Sequence, residues 1–309
     1  MKAARRAIAF NPDNKGSWIM RTYVIGKFAA LAATALLAAA GFASEASAAG
    51  ALDRIKKEQT VRIAFREDAP PFSMKGPGAE PVGLIVNLCQ AVTADLAKQL
   101  NLPGLKVAYV PVTSTNRFEA IQKNKADMLC EATSATLARR KIVDFSLSTF
   151  VDGASLMIRP DGPKSVKELA GRKIGVLGGT TTEQALRNTL TKLNITSDIV
   201  LLKNHDEGVK MLVDNGISAY FADRAILQYL FMKSPAAANL LLSDDYLTIE
   251  PYALALPRGD DDFRLAVDTA LSHIYRSGEI VRIFTANFGA QAVPSPMLQS
   301  LYTITGLPD

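Results

Sequence analysis

Three arginines, one histidine and one acid stand where short apolar runs end: Arg66, Arg117, Arg139, His205 and Asp223. In open α/β sheets, ligands sit beyond the carboxyl ends of the strands, so these side chains are the candidates for recognising a small polar molecule. Arg66 closes the run Val61-Arg62-Ile63-Ala64-Phe65-Arg66, and Pro70-Pro71-Phe72 follows as a stiff turn presenting an aromatic face. Thr113-Ser114-Thr115-Asn116-Arg117 follows a second run; on that evidence alone Ser114 reads equally as a helix cap and Arg117 as a surface charge. After a third run comes Cys130-Glu131-Ala132-Thr133-Ser134-Ala135-Thr136, where Thr136 caps a short helix and Arg139, three residues inside, turns back to the groove. Gly178-Gly179-Thr180-Thr181-Thr182-Glu183 joins a strand to a helix, so backbone N–H groups and the positive end of the helix dipole face the same crevice. The Gly-Lys-Ser/Thr ending of a nucleotide P-loop is absent, which leaves recognition of a bare anion such as a carboxylate. Taken together, several cations and donors, one strand-end acid and one aromatic suit an α-amino acid: a guanidinium and helix N–H groups for its carboxylate, and an acid for its ammonium.

The elements that must position these groups alternate along the chain. Strands are expected at 61–66, 105–110, 126–129, 154–158, 173–177, 199–202, 217–221 and 252–256, by apolar runs and period-two patterning. Helices are expected at 84–100, 116–124, 183–193, 207–214, 224–231, 261–276 and 280–288. Strands interleaved with helices imply parallel α/β sheets covered on both faces. The chain is extended and bears no helix between Asp144 and Ile158 and again between Asp244 and Leu256. Two such crossings set 154–249 as a second lobe inserted into a first lobe made of 49–153 and 250–309, with two hinge strands that let one lobe close on the other.

The N-terminus reads as an address. From Arg21 a short basic region precedes an uncharged, Ala- and Leu-rich stretch from Phe28 to Ser44, and Ala46-Ser47-Ala48 supplies small residues for a signal peptidase. Residues 1–48 are expected to be a cleaved secretory signal, with an uncleaved anchor as the alternative. These 48 residues hold six Lys/Arg against Asp13 and Glu45, so the formal charge of +5 over all 309 residues leaves 29 basic and 28 acidic residues in the mature part. That balance gives no support to nucleic-acid binding. Export also bears on Cys89 and Cys130, which are expected to form a disulfide, with two buried free thiols as the alternative. Two cysteines and two histidines are too few for a zinc site. With no nucleophile, base and acid in one local motif, no catalytic residue, cofactor or metal is assigned; His273 lies inside a helical run and reads as solvated or structural.

At this point the residues resemble the polar amino-acid family of periplasmic solute-binding proteins (family 3), the extracellular receptors of ABC importers. The resemblance covers nearly all of 52–290. It is most specific in Ser134-Ala135-Thr136-Leu137-Ala138-Arg139 followed by Val143-Asp144-Phe145-Ser146, in Gly-Gly-Thr-Thr-Thr-Glu, and in Glu250-Pro251-Tyr252-Ala253-Leu254-Ala255-Leu256. It implies an α/β fold of the two-lobe type II (Venus-flytrap) kind. It further implies that Arg139 holds the ligand α-carboxylate, with Ser134 and the Ala132 backbone assisting and Thr180 and Thr181 completing the clamp. Asp223 then receives the ammonium, and Phe72 forms the aromatic wall. Glutamate/aspartate receptors within the family resemble the chain further: Arg66, Ser114, Arg117 and His205 match positions that grip a second carboxylate. Those receptors also carry a cysteine at the position of Cys130, and related members carry one at Cys89. Two departures stand out. Glu131 and Ala132 replace a usual glycine and serine, and Asn87 replaces a usual aspartate. A carboxylate at position 131 opposes an acidic ligand unless it points away or pairs with an arginine.

The resemblance implies a monomeric carrier in the periplasm that binds an L-amino acid and presents it to an inner-membrane ABC permease, without chemistry of its own. Exported dehydratases of the cyclohexadienyl or prephenate type are similar in sequence and give the rival, enzymatic expectation. A sensor lobe with an empty cleft is the third.

Overall fold

The computed structural model describes residues 50–308; the expected signal lies outside the described residues. Helix α1 (Ala51–Glu58) begins at Gly50 and is fixed by the Asp260 carboxylate, which accepts the Ala51 N–H at 2.6 Å. Strand β1 (Thr60–Arg66) leads through the two-residue strands β2 (Asp68–Ala69) and β3 (Ser73–Met74) into α2 (Leu84–Gln99). Then come β4 (Lys106–Val112), α3 (Arg117–Gln122), β5 (Met128–Leu129) and a single 3-10 turn, Arg139–Lys141. Strand β6 (Asp144–Asp152) passes almost directly into β7 (Ala154–Ile158). The next units are β8 (Lys173–Leu177), α4 (Thr181–Lys192), β9 (Asp198–Leu202), α5 (His205–Val213), β10 (Ala219–Asp223), α6 (Arg224–Lys233) and β11 (Leu241–Leu242). Strand β12 (Glu250–Leu256) and helices α7 (Asp261–Arg276), α8 (Glu279–Phe288) and α9 (Pro296–Thr305) complete the chain.

Ten of the strands form two five-stranded sheets, ordered β4-β1-β5-β12-β6 and β11-β7-β10-β8-β9, each the centre of one lobe, while β2 and β3 pair separately. The expectation of parallel sheets is corrected here: both are mixed. In the first, β12 runs antiparallel to β5 and β6; in the second, β7 runs antiparallel to β10 and β11. The reason is topological. Strands that begin and end within a lobe direct their carboxyl ends at the cleft, whereas β7 and β12 each arrive from the other lobe and must start at the cleft and run away from it.

The two crossings lie side by side. Leu247 N–H donates to the Ala154 carbonyl at 2.8 Å, and Ala154 N–H to Thr248 Oγ1 at 2.9 Å. Gly153 is required there, because a Cβ would stand 2.2 Å from the Thr248 carbonyl oxygen.

Helix α2 buries Leu84, Leu88, Val92 and Leu96 at helical spacing and packs on α7, which buries Phe263, Val267 and Ile274. Cys89 on α2 and Cys130, just past β5, form a disulfide with both residues fully buried. The pair ties the helix layer to the strand end that carries Glu131 and Ala132. Closing a loop of 41 residues in the unfolded chain is worth about 4 kcal/mol in the chain-entropy description. The double variant C89A/C130A is therefore expected to melt roughly 5–15 °C lower by differential scanning calorimetry, with unchanged far-ultraviolet dichroism. A variant that melts with the parent shows that the bond contributes nothing to this lobe.

Candidate functional site

A cavity lies where the carboxyl ends of the two sheets meet. Arg66, Arg117, Ala132 and Arg139 line it from the first lobe, and Thr180, Thr181, His205 and Asp223 from the second. Phe221, Ala222 and Ile226 add an apolar floor. Arg66 and Asp223 are the last residues of β1 and β10, and His205 opens α5 directly after β9, so strand ends deliver the charges.

Asp223 carries the acid end. Its carboxylate accepts hydrogen bonds from Tyr252 Oη at 2.7 Å and Thr182 Oγ1 at 2.8 Å, both from neutral hydroxyls. No cation lies in ion-pair range of it among the described residues. Burial, and next the Glu250 carboxylate, push its pKa above the ordinary aspartate value. Asp152, at the end of β6, accepts the Ala225 N–H at 3.1 Å and lies 3.4 Å from the same Tyr252 hydroxyl. Burial, reinforced by the Asp223 charge, pushes its pKa up to about 7.

The opposite end is cationic but internally paired. Arg66, 2% exposed, donates to the Asp68 carboxylate from Nε at 2.9 Å. Glu131, fully buried, lies between Arg66 Nη1 at 3.7 Å and Arg117 Nε at 3.6 Å, and accepts a hydrogen bond from Thr133 Oγ1. Arg117 reaches across the cleft to the Gly179 carbonyl at 3.3 Å, while its Nη1 has no hydrogen-bond partner. Burial lowers the Arg117 pKa to about 10, against the pull of Glu131, so it remains a cation at neutral pH. Arg139 is half-buried, donates from Nη1 to the Ser134 carbonyl at 2.8 Å and lies over the Phe118 ring. His205 is the neutral member: burial, then Arg66 and Arg117, hold its pKa well below the ordinary value. Its Nδ1 meets the Tyr220 hydroxyl and its Nε2 has no hydrogen-bond partner.

Three expected site residues lie elsewhere. Phe72 is fully buried in the core against Phe150 and Tyr252, at centroid distances of 4.9 and 5.3 Å, and is not on the cavity wall. The turn that holds it serves another purpose. The Pro71 and Phe72 carbonyls accept the Leu84 and Ile85 N–H groups at the start of α2, and Gly83, with φ of 132°, passes so close that a Cβ would meet the Phe72 carbonyl at 2.5 Å. Ser114 is buried between the lobes, its carbonyl oxygen 3.1 Å from the point where a Gly179 side chain would begin. Ser134 is buried outside the cavity lining, and its hydroxyl meets that of Thr181 across the cleft at 3.2 Å. Thr180 lines the cavity, yet its hydroxyl is occupied. It accepts the Glu183 N–H at 3.0 Å as the N-cap of α4 and donates to the Leu177 carbonyl at 2.7 Å.

Residues 61–290 match the bacterial extracellular solute-binding proteins, family 3. The chain belongs to this family. An L-glutamate/L-aspartate-binding protein of Pseudomonas aeruginosa is 32% identical over 263 residues, which cover 84% of this chain and 86% of the relative. Among solved structures, an ancestral arginine-binding protein bound to glutamine superposes with a TM-score of 0.66 at 27% identity, covering 75% of this chain and 98% of the other. An ancestral amino acid-binding protein, AncCDT-1, described as a precursor of cyclohexadienyl dehydratase, gives a TM-score of 0.66 at 28% identity, covering 77% and 99%.

In this family 3 solute-binding protein, sequence reasoning missed Tyr252, Thr182 and Asp152, the groups that hold or crowd Asp223. Thr182 stands in the quoted Thr-Thr-Thr run and Tyr252 in the quoted Glu-Pro-Tyr stretch, but nothing local says that their hydroxyls converge on one carboxylate. The raised acid pair has a measurable consequence. An aspartate that holds its proton up to about pH 7 when folded but only to about 4 when unfolded makes folding take up a proton. Stability of the ligand-free protein therefore falls as pH rises through that window and levels off above it. The melting temperature is expected to drop by several degrees between pH 5 and 7.5, and D152N to flatten most of that slope. An unchanged slope in D152N rules Asp152 out as its source.

Proposed function

We propose that the protein is the exported, extracytoplasmic binding component of an ABC importer, capturing an L-amino acid with a polar side chain of the glutamate/aspartate size class. The observation that carries the reading is Asp223: a buried carboxylate with hydroxyl donors but no cation, lining the same cavity as Arg139 from the opposite lobe. An α-ammonium supplies the missing cation. Arg139, together with the N–H groups opening α4, supplies the counterpart for the α-carboxylate. Amino acids in the names of the relatives, and the glutamine held by the structural relative, support this class. The inner-membrane permease is the partner that the family membership implies.

In this reading the ligand bridges the lobes, and closure around it excludes water, so that each charge pair counts for more than it does in solvent. No reaction is assigned. No catalytic role is assigned to Asp223 or Asp152, and in this reading the protein releases its ligand unchanged. Calorimetric titration of the purified protein with the twenty amino acids is expected to give binding for a polar subset. R139A and D223A each lose about 100-fold or more for every ligand in that subset, the scale of breaking a buried charge pair. Parent-like affinity in either variant overturns the assignment of the two ends. Turnover of prephenate or arogenate, followed by absorbance of the aromatic product, replaces the transport reading with the dehydratase one.

A further inference from the structure

We propose that Glu131 is a specificity-determining counter-ion that sets the cleft for amino acids with a neutral amide side chain in preference to their dicarboxylic counterparts. The inference rests on the amino-acid reading above and refines it, against the expectation that Arg66 and Arg117 serve to grip a second ligand carboxylate.

The argument is one of charge and geometry. Glu131 is fully buried at the end of β5 and stands between the two arginines, 3.7 Å from Arg66 Nη1 and 3.6 Å from Arg117 Nε. Its Oε2 accepts no hydrogen bond, so it is held there as a charge partner rather than by a donor network on both oxygens. Arg66 is balanced a second time by Asp68, with Nη2 to Oδ1 at 2.9 Å. The two cations that the side-chain end of the cleft offers are thus matched by two carboxylates of the protein itself. At the other end Arg139 and Asp223 match the ligand's carboxylate and ammonium one for one. Glu250 and Asp152 lie behind Asp223 and add negative character, not positive. A zwitterion with a neutral side chain leaves this cavity balanced, whereas a dicarboxylic amino acid brings one further negative charge into a buried space with no cation left to take it.

The donors that remain suit a carbonyl oxygen. Arg117 Nη1 has no hydrogen-bond partner. The Tyr220 hydroxyl, fully buried and held neutral by burial, meets His205 Nδ1. The tautomer in which Nδ1 accepts from that hydroxyl puts the imidazole proton on Nε2, which also lacks a partner and belongs to a cavity-lining residue. Two N–H donors without a surplus positive charge fit an amide carbonyl.

The test is a paired titration of L-glutamine with L-glutamate, and of L-asparagine with L-aspartate, at pH 7.5 and fixed salt, on the parent protein and on E131Q. The parent is expected to bind the amide about 10-fold or more tightly than the acid within at least one pair. E131Q, which keeps shape and removes the charge, is expected to raise acid affinity about 10-fold or more while changing amide affinity by less than about 3-fold. An acid bound more tightly than its amide by the parent overturns the proposal and leaves the amino-acid reading intact, as does an acid-to-amide ratio unchanged in E131Q. Absence of binding for all four ligands and for the rest of the amino-acid panel overturns both. If E131Q does not fold, the parent's own ratio decides.

Discussion

A carboxylate removed from water without a cation beside it is among the least favourable groups a protein can hold, and in this structure Asp223 is that group. Its two hydrogen bonds come from the Tyr252 and Thr182 hydroxyls, which stabilise a negative charge less than an arginine would. Glu250 stands close enough to push in the same unfavourable direction, and the Asp223 charge in turn raises Asp152. Much of the surrounding architecture follows from keeping this residue where it is. Strand β10 must end at the cleft, Thr182 must sit in the first turn of α4, and Tyr252 must reach over from the other lobe. In the proposed reading the missing cation arrives with the ligand and offsets that cost.

The arginine side shows the converse solution. Arg66 and Arg117 are more deeply buried than Asp223, yet they carry their own counter-charges in Asp68 and Glu131. One end of the cleft is therefore left wanting a partner and the other is not. A raw Coulomb attraction of about 5 kcal/mol for a unit pair at 3.6 Å, at an effective dielectric of about 20, is comparable to the cost of desolvating the groups involved. Such a cluster is close to neutral for stability, and in the proposal above its weight falls on which ligand charge is tolerated.

The order of strands and helices was largely legible because each carries its own local signal. Strands β7 and β8 and helix α7 lie at the residues where apolar patterning put them, and the strand-end rule brought Arg66, Arg117, Arg139, His205 and Asp223 to a single cavity. Helices α1 and α9 escaped notice. The first is short and buries only Ile55; the second has a readable start in Ser295-Pro296, but few of its apolar residues are buried. Sheet direction was misjudged because it depends on where the chain crosses between lobes, which no window of sequence encodes. The same holds for side chains that meet across long separations. That Glu131 falls between Arg66 and Arg117, or that Phe72 turns inward because its own carbonyl caps α2, follows from tertiary placement and not from residue type.

The contacts that span the lobes at the cleft show how closure and recognition are joined. Arg117 donates to the Gly179 carbonyl, Ser134 meets Thr181, and Tyr252 donates to Asp223. Each is a single hydrogen bond, of a kind worth about 1 kcal/mol net, somewhat more where a charge takes part. Their sum is modest beside the entropy of fixing two lobes against each other, so these bonds alone hold the closed form only weakly. A molecule that places an ammonium against Asp223 and a carboxylate against Arg139 adds two charge pairs that exist only when both lobes are present. Those pairs have different values in the open and closed forms, and a ligand can shift an equilibrium only by such a difference. In the proposed reading the acid and the arginine on opposite lobes are both the recognition groups and the source of the closing force, and a ligand lacking either end would meet the cleft without closing it.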